Sequence, residues 1–224
     1  MSDIRQKNIF LASEGDAWFV RNRANLEGAA NQRPDPVALA VEELSVRPGE
    51  ILEIGCANGW RLDLLTREYG ARGCGIDPSA QAIADGRRRF STLDLSCATA
   101  ELLPFGEARF DLLIYGFCLY LCDRRDLFRI VAEGDRVLAD GGHLLIYDFF
   151  TNVPHRRIYH HDPRLVSYKM DYAALFCANP NYRLIANRRF GVDGGAPTSE
   201  DDALSVAVLK KNISAGFPLR EPNP

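Results

Sequence analysis

Two stretches, "FDLLIYGF" from Phe110 and "HLLIYDFF" from His143, constrain the chain more than any other feature. Each is a nearly unbroken apolar run of strand length, the pattern of a strand covered on both faces. Three further strand-like runs precede them, Ile51–Ile54, Gly73–Asp77 and Leu93–Ala98. Segments with helical spacing lie between, over Pro36–Leu44, Trp60–Tyr69, Ser79–Phe90 and Asp123–Leu138, the last with Asp123 as its cap. Strands alternating with helices imply parallel strands joined by crossover helices. Asp140-Gly141-Gly142 reads as the turn before the fifth strand.

After residue 150 the pattern changes. Residues 151–180 read as irregular, dense in His, Tyr, Arg and Pro, with a short helix near 171–178. Tyr182–Phe190 and Ala203–Leu209 read as a hairpin, because "GVDGGAPTSEDD" between them suits neither helix nor strand. The expected fold class is α/β: a doubly wound seven-stranded sheet, mostly parallel, with an antiparallel C-terminal hairpin. Residues 1–35 form an N-terminal segment whose Trp18-Phe19 island predicts a helix of roughly 14–24, since two adjacent aromatics are costly to leave in water. The main domain spans 36–212, with 151–180 as a substrate-side insertion. The Pro-rich end, 213–224, is expected to be loose.

The 224 residues carry a formal net charge of −3. That balance lacks the basic stripe of a nucleic-acid binder. None of the six cysteines shows C-x-x-C spacing, and there is no signal peptide or long apolar segment. A cytoplasmic protein with reduced thiols, and no membrane partner, is expected. Adjacent His160 and His161 point apart on regular backbone and lack a third ligand at a motif spacing, so no metal is expected.

In an open parallel sheet, ligands sit outside the carboxyl ends of the strands where strand order reverses. The first such loop is Gly55-Cys56-Ala57-Asn58-Gly59, entered from a strand that carries an acid, Glu53, among apolar residues. This is G-x-x-x-G, and the G-x-G-x-x-G of dinucleotide binding and the G-K-S/T of a triphosphate cradle are both missing. Asp77 ends the second strand, where a carboxylate either accepts from both ribose hydroxyls or caps the next helix.

Four stretches then carry a resemblance: "ILEIGCANGWRLDLL", "GCGIDPSAQAIADGR", "ATAELLPFGEARFDLLIYGFCLYLCD" and "EGDRVLADGGHLLIYDF". Over residues 36–150 they resemble the successive motifs of class I S-adenosylmethionine-dependent methyltransferases, of the small-molecule methyltransferase 11/25 type. The resemblance implies a Rossmann-like sheet with an antiparallel last strand, and S-adenosyl-L-methionine as cofactor. It implies that Glu53 works near the methionine amino group, often through water. The loop of Gly55, Cys56 and Gly59 passes close to the methionine and ribose, with Asn58 near the carboxylate end. Asp77 takes the ribose, and Pro78 flanks the adenine edge. Thr99 replaces the acid that usually accepts from the adenine amino group, leaving Ala100 and Glu101 as adenine neighbours. Tyr115, Gly116 and Phe117 line the methionine and methyl end.

Methyl transfer to a hydroxyl or protonated amine needs a base. Candidates lie in the insertion: His160 or His161 as base, with Tyr168, Tyr120 and Tyr159 beside the acceptor. In the N-terminal segment, Trp18 and Phe19 would exclude water, and Arg21 or Arg23 would meet an anionic group. The expected activity is transfer to O or N of a small polar metabolite (sugar, nucleoside or natural-product intermediate) by a monomer or homodimer. The alternatives are an RNA or protein methyltransferase and a non-catalytic cofactor-binding relative.

Overall fold

A computed structural model of the chain describes residues 5–32, 34–44 and 46–220, with backbone alone for 27–32. The ends of the two terminal segments, 1–4 and 221–224, lie outside the described residues. Ile51, Leu52 and Ile54 form β1 (Glu50–Ile54), flanked by β2 (Arg72–Asp77) on one side. Outside β2 lies β3 (Asp94–Cys97), and on the other side of β1 come β4 (Phe110–Gly116) and then β5 (Leu138–Phe149), all parallel. A separate antiparallel pair follows, β6 (His155–Ile158) and β7 (Val166–Lys169). The last strands, β8 (Tyr182–Gly191) and β9 (Ala203–Lys211), run antiparallel and add to β5 in the order β3-β2-β1-β4-β5-β9-β8. This is the seven-stranded mixed sheet expected. The insertion 151–180 is more ordered than expected, because β6 and β7 pair with each other.

Helices cover both faces. On the N-terminal side α1 (Gln6–Ile9) runs through one π-helical turn, Phe10–Glu14, into α2 (Gly15–Gln32). After these come α3 (Pro36–Glu43), α4 (Trp60–Tyr69), α5 (Ala80–Arg89), α6 (Leu127–Val137), α7 (Ala173–Cys177) and a final turn, α8 (Ile213–Gly216). Strand side chains alternate between faces. Ile51, Leu112, Ile114 and Leu145 therefore meet Val37, Val41, Leu62 and Ile83, while Leu52, Leu113, Tyr115 and Ile146 meet Ile130, Val137 and Phe176.

Several expectations need correction. Helical structure in the N-terminal segment extends from Gln6 to Gln32, well beyond 14–24. Asp123 does not cap α6, which starts at Leu127; it accepts from the backbone N–H groups of Gln6 at 3.2 Å and Lys7 at 3.0 Å. It thus supplies the cap that α1 lacks from its own sequence, since Arg5 makes no side-chain cap bond. Asp140-Gly141-Gly142 is a bulge within β5, between the pairs Phe110–Leu138 and Leu112–His143. The segment after Asn212 begins with α8, which is capped by the Asn212 side chain accepting from Ala215 N–H at 2.9 Å.

Candidate active site

Strand order reverses between β1 and β4, and a cleft of about 850 Å³, including its open mouth, lies at their carboxyl ends. β1 runs into Gly55 and β4 ends on Gly116, and both glycines line the cleft. Gly55 has φ +77°, and a Cβ there would sit 2.7 Å from Cys118 Cβ. A Cβ on Gly116 would sit 2.6 Å from Glu53 Oε1. The two strand ends are therefore stripped to backbone, and a ligand can approach the main chain. Phe117 follows with φ +60°, a conformation bulky residues rarely adopt. It is held by its N–H donating to Tyr147 O at 2.8 Å and by ring packing on Tyr120 at 4.8 Å and Phe149 at 5.0 Å.

Asp77 ends β2 at the cleft wall beside Pro78. Its oxygens accept from Ala57 N–H and Ser79 N–H, each at 2.9 Å. Burial pushes its carboxyl up to about 6, against the pull of those two donors. Each oxygen keeps lone pairs for a ligand hydroxyl. The helix cap is a different residue: Ser79 Oγ accepts from Ala82 N–H at 3.0 Å. Thr99, Ala100 and Glu101 line the neighbouring wall. Thr99 Oγ1 donates to Glu101 Oε1 at 2.9 Å, and the Lys7 ammonium reaches the same oxygen at 2.7 Å and Asp126 at 3.0 Å. Lys7 lines the cleft and was missed in sequence, because its partners are more than ninety residues away.

Glu53 lies one residue short of the cleft wall and points to the α4 face, as strand alternation from Ile54 requires. Oε1 accepts from Arg61, and Oε2 is buried without a hydrogen-bond partner. Burial raises its pKa, and Arg61 opposes the rise. Arg61 is a second residue that sequence reading missed. Besides Glu53, four of the residues assigned to the cofactor lie away from the cleft: Cys56, Asn58, Gly59 and Tyr115. Cys56 packs in the core below, its Sγ 2.7 Å from where a Gly75 Cβ would be. Asn58 Nδ2 donates to Asp85 Oδ2 at 3.0 Å, toward α5. Tyr115 is fully buried on the α6 face and donates its hydroxyl hydrogen to Ile130 O at 3.0 Å. Gly59 opens α4 with φ +81° and faces Leu93 and Leu95.

Lys7, Phe10, Gly15 and Trp18 bring α1 and α2 over the cleft as a roof. The roof is pinned where Asp16 Oδ1 accepts from Ser79 Oγ at 2.7 Å and Gln81 N–H at 3.0 Å. At the other end Gln6 Nε2 donates to Leu121 O at 2.8 Å, and its Oε1 accepts from Val166 N–H at 2.7 Å. Phe19 is buried outside the cleft. Arg21 is ion-paired with Glu14 and donates to the Tyr159 hydroxyl at 3.4 Å; Arg23 pairs with Asp85 at 3.3 Å. Tyr120 and Tyr159 pack with Ile9 and Leu165 beneath the roof. His160 and His161 are exposed on the turn between β6 and β7, outside the cleft, and Tyr168 lies under the Arg124 guanidinium at 4.5 Å. Among the described residues, no group of three or more His, Cys, Asp or Glu could hold a metal ion, and no helix is long and apolar enough to cross a membrane.

Three features fit a sulfonium nucleoside that ends in an amino acid: the stripped strand ends, the Asp77 carboxylate with spare acceptor capacity, and the unpartnered Glu53 Oε2. Comparison with known proteins agrees. Residues 51–142 match the methyltransferase domain family. Over 110 residues the chain is 29% identical to an uncharacterized methyltransferase of Synechocystis sp., covering 49% of this chain and 52% of that protein. The chain thus spans about half the length of that curated relative. Among solved structures, a Burkholderia thailandensis 1,6-didemethyltoxoflavin-N1-methyltransferase with bound S-adenosylhomocysteine superposes with TM-score 0.69 at 18% identity, covering 90% of this chain and 88% of that one. An S-adenosylmethionine-dependent methyltransferase of Methanosarcina mazei gives 0.64 at 18% identity over 81% and 99%. The fold is thus that of the Rossmann-like methyltransferases. In sequence and in fold the chain is similar to the class I S-adenosylmethionine-dependent methyltransferases.

Proposed function

We propose that the chain is a cytoplasmic methyltransferase of small-molecule biosynthesis, methylating an O or N atom of a small, flat, uncharged acceptor. The observation that carries this reading is the meeting of Gly55, Asp77 and Gly116 with Phe10, Trp18 and Phe117 in one cleft. S-adenosylmethionine, when bound, supplies a methyl group on a sulfonium that is already a good leaving group. Asp77 accepts from the ribose, Pro78 and the Thr99–Glu101 segment border the base, and Gly55 and Gly116 leave room beside the main chain. The contribution of Phe10, Trp18 and Phe117 is to exclude water and hold a flat acceptor in line, which is a positioning effect.

Among the described residues, no histidine lines the cleft. This favours an acceptor that is nucleophilic as bound, since the ionisable acids of the cleft, Asp77, Glu101, Asp123 and Asp126, are weak bases. Lys7, the cation that lines the cleft among the described residues, is already matched by Glu101 and Asp126, and Arg21 and Arg23 are held by Glu14 and Asp85. These pairings favour an uncharged acceptor over an anionic one. The Burkholderia neighbour, an N1-methyltransferase with its bound acceptor, supports a small molecule methylated on nitrogen. A roof over the cleft and the net charge of −3 argue against an RNA substrate.

The test is calorimetric titration with S-adenosylhomocysteine, followed by a screen of neutral heteroaromatic amines and phenols with an isotope-labelled methyl donor. Binding in the micromolar range and label transfer to a flat neutral compound are expected. Absence of any binding heat removes the reading, and transfer only to anionic acceptors overturns its charge assignment.

A further inference from the structure

Two carboxylates and one guanidinium are packed behind the cleft wall. Arg61, in the first turn of α4, gives its Nε–H to both oxygens of Asp35 at 3.0 Å and an Nη1–H to Glu53 Oε1. The side chains of Arg61, Asp35 and Glu53 are only 10%, 5% and 1% exposed. Trp60 and Tyr147 close over the guanidinium carbon, with ring centres at 5.2 and 5.6 Å. With all three ionised, the group carries one uncompensated negative charge, and a buried charge is costly until a partner meets it. The atom left without a partner is Glu53 Oε2.

Gly116 marks where a partner could come from. The place its missing Cβ would occupy lies 2.6 Å from Glu53 Oε1, 3.1 Å from Arg61 Nη1 and 3.1 Å from Gly55 O. Gly116 and Gly55 both belong to the cleft wall. The triad therefore lies directly against the backbone of two residues that line the cleft. The ionisable groups that face Glu53 are Arg61 from α4, Asp35 ahead of α3, Asp77 at the end of β2 and the thiols of Cys56 and Cys118. Burial and the two carboxylates favour the protonated acid, and Arg61 alone opposes them. A protonated Glu53 would offer a donor where an ammonium group needs an acceptor. Arg61 cannot surrender its own proton, so it is suited to keep the acid ionised.

The geometry points to Arg61, clamped by Asp35, as the positioning residue that keeps Glu53 ionised and leaves its second oxygen to accept the ammonium group of the cofactor's amino-acid end. This rests on reading the cleft as an S-adenosylmethionine site. Arg61 touches no reacting atom; it acts through Glu53.

The test uses the full chain and two probes: S-adenosylhomocysteine, which carries the amino-acid end, and 5′-methylthioadenosine, which lacks it. Calorimetry gives the affinity ratio of the two, and effects on the shared nucleoside, including any titration of Asp77, cancel in that ratio. For Arg61→Met the ratio should fall about 10- to 100-fold, the range of a hydrogen bond to a charged group, and the loss should be larger at pH 6 than at pH 8. Arg61→Lys keeps a cation but not the fork; its ratio should fall about 3- to 10-fold and stay flat with pH. An unchanged ratio in either variant overturns the inference, as does equal loss of both probes. Should Arg61→Met not fold, the Arg61→Lys ratio decides alone. Wild-type protein that binds neither probe overturns the cofactor reading and this inference with it. Wild-type binding with an unmoved ratio removes the role of Arg61 alone.

Discussion

The rim of the sheet and the roof above it enclose one cleft but are built by different forces. At the rim, Gly55, Asp77 and Gly116 end strands whose side chains are buried on both faces, with Ile51, Leu52, Phe110 and Leu113 fully enclosed. Their positions follow from close packing, which transmits any change of volume. The roof is tied down by scattered polar contacts, Asp123 to the first turn of α1, Lys7 to Glu101 and Asp126, and Asp16 to the start of α5, besides the buried Ile9 and Phe19. A hydrogen bond contributes about 1 kcal/mol net, and partly exposed ion pairs about as much or less. The rim therefore sets the cleft's shape, and the roof can be weakened without loss of the fold.

The sharpest way to break this contrast is to hollow out each region. Phe110→Ala should lower unfolding free energy in urea by about 3–5 kcal/mol. Trp18→Ala, at the partly open roof, should cost about 1 kcal/mol or less while weakening S-adenosylhomocysteine binding several-fold. Equal losses of stability would erase the distinction.

Asp77 sharpens the contrast through pH. Its carboxyl stands at about 6 in the fold against 3.8 for the free group. The ligand-free fold therefore holds this proton more tightly than the unfolded chain. The associated stability is fully present below 3.8 and is lost as pH climbs through about 6. Ribose hydroxyls need the ionised acid as acceptor, so affinity for S-adenosylhomocysteine should move the other way. Calorimetry should show it rising about 10-fold from pH 5 to pH 7 and then levelling, a titration absent in Asp77→Asn.

Smaller effects are expected from the roof's latch. Lys7→Met removes two partly buried ion pairs and should speed S-adenosylhomocysteine dissociation about 2- to 10-fold in stopped flow, with the wild-type rate rising with salt. Smallest of all, His160→Asn and His161→Asn should leave the pH–rate profile within about twofold of wild type. A lost limb near neutral pH would bring the exposed turn between β6 and β7 into the chemistry.

The rim was legible in sequence because its signals are local. A glycine after an apolar strand, and an acid at the end of the next, follow from the βα order alone, and Gly55, Asp77 and Gly116 fall where that order puts them. Tyr115 went astray for a reason of period: it adjoins Gly116, but alternate strand residues face opposite layers. Asn58 was drawn off by Asp85, 27 residues on. The roof was less legible, since its anchors join residues 63 to 160 positions apart.

The sequence alone determined the strand and helix order, the reversal point and the acids nearest it, because hydrophobic period and turn chemistry act within a few residues. Tertiary structure decided that Lys7 enters the cleft, that Arg61 closes on Glu53 and Asp35, and that His160 and His161 stay in solvent. Charged side chains choose partners by proximity and burial, and both exist only once distant segments have packed.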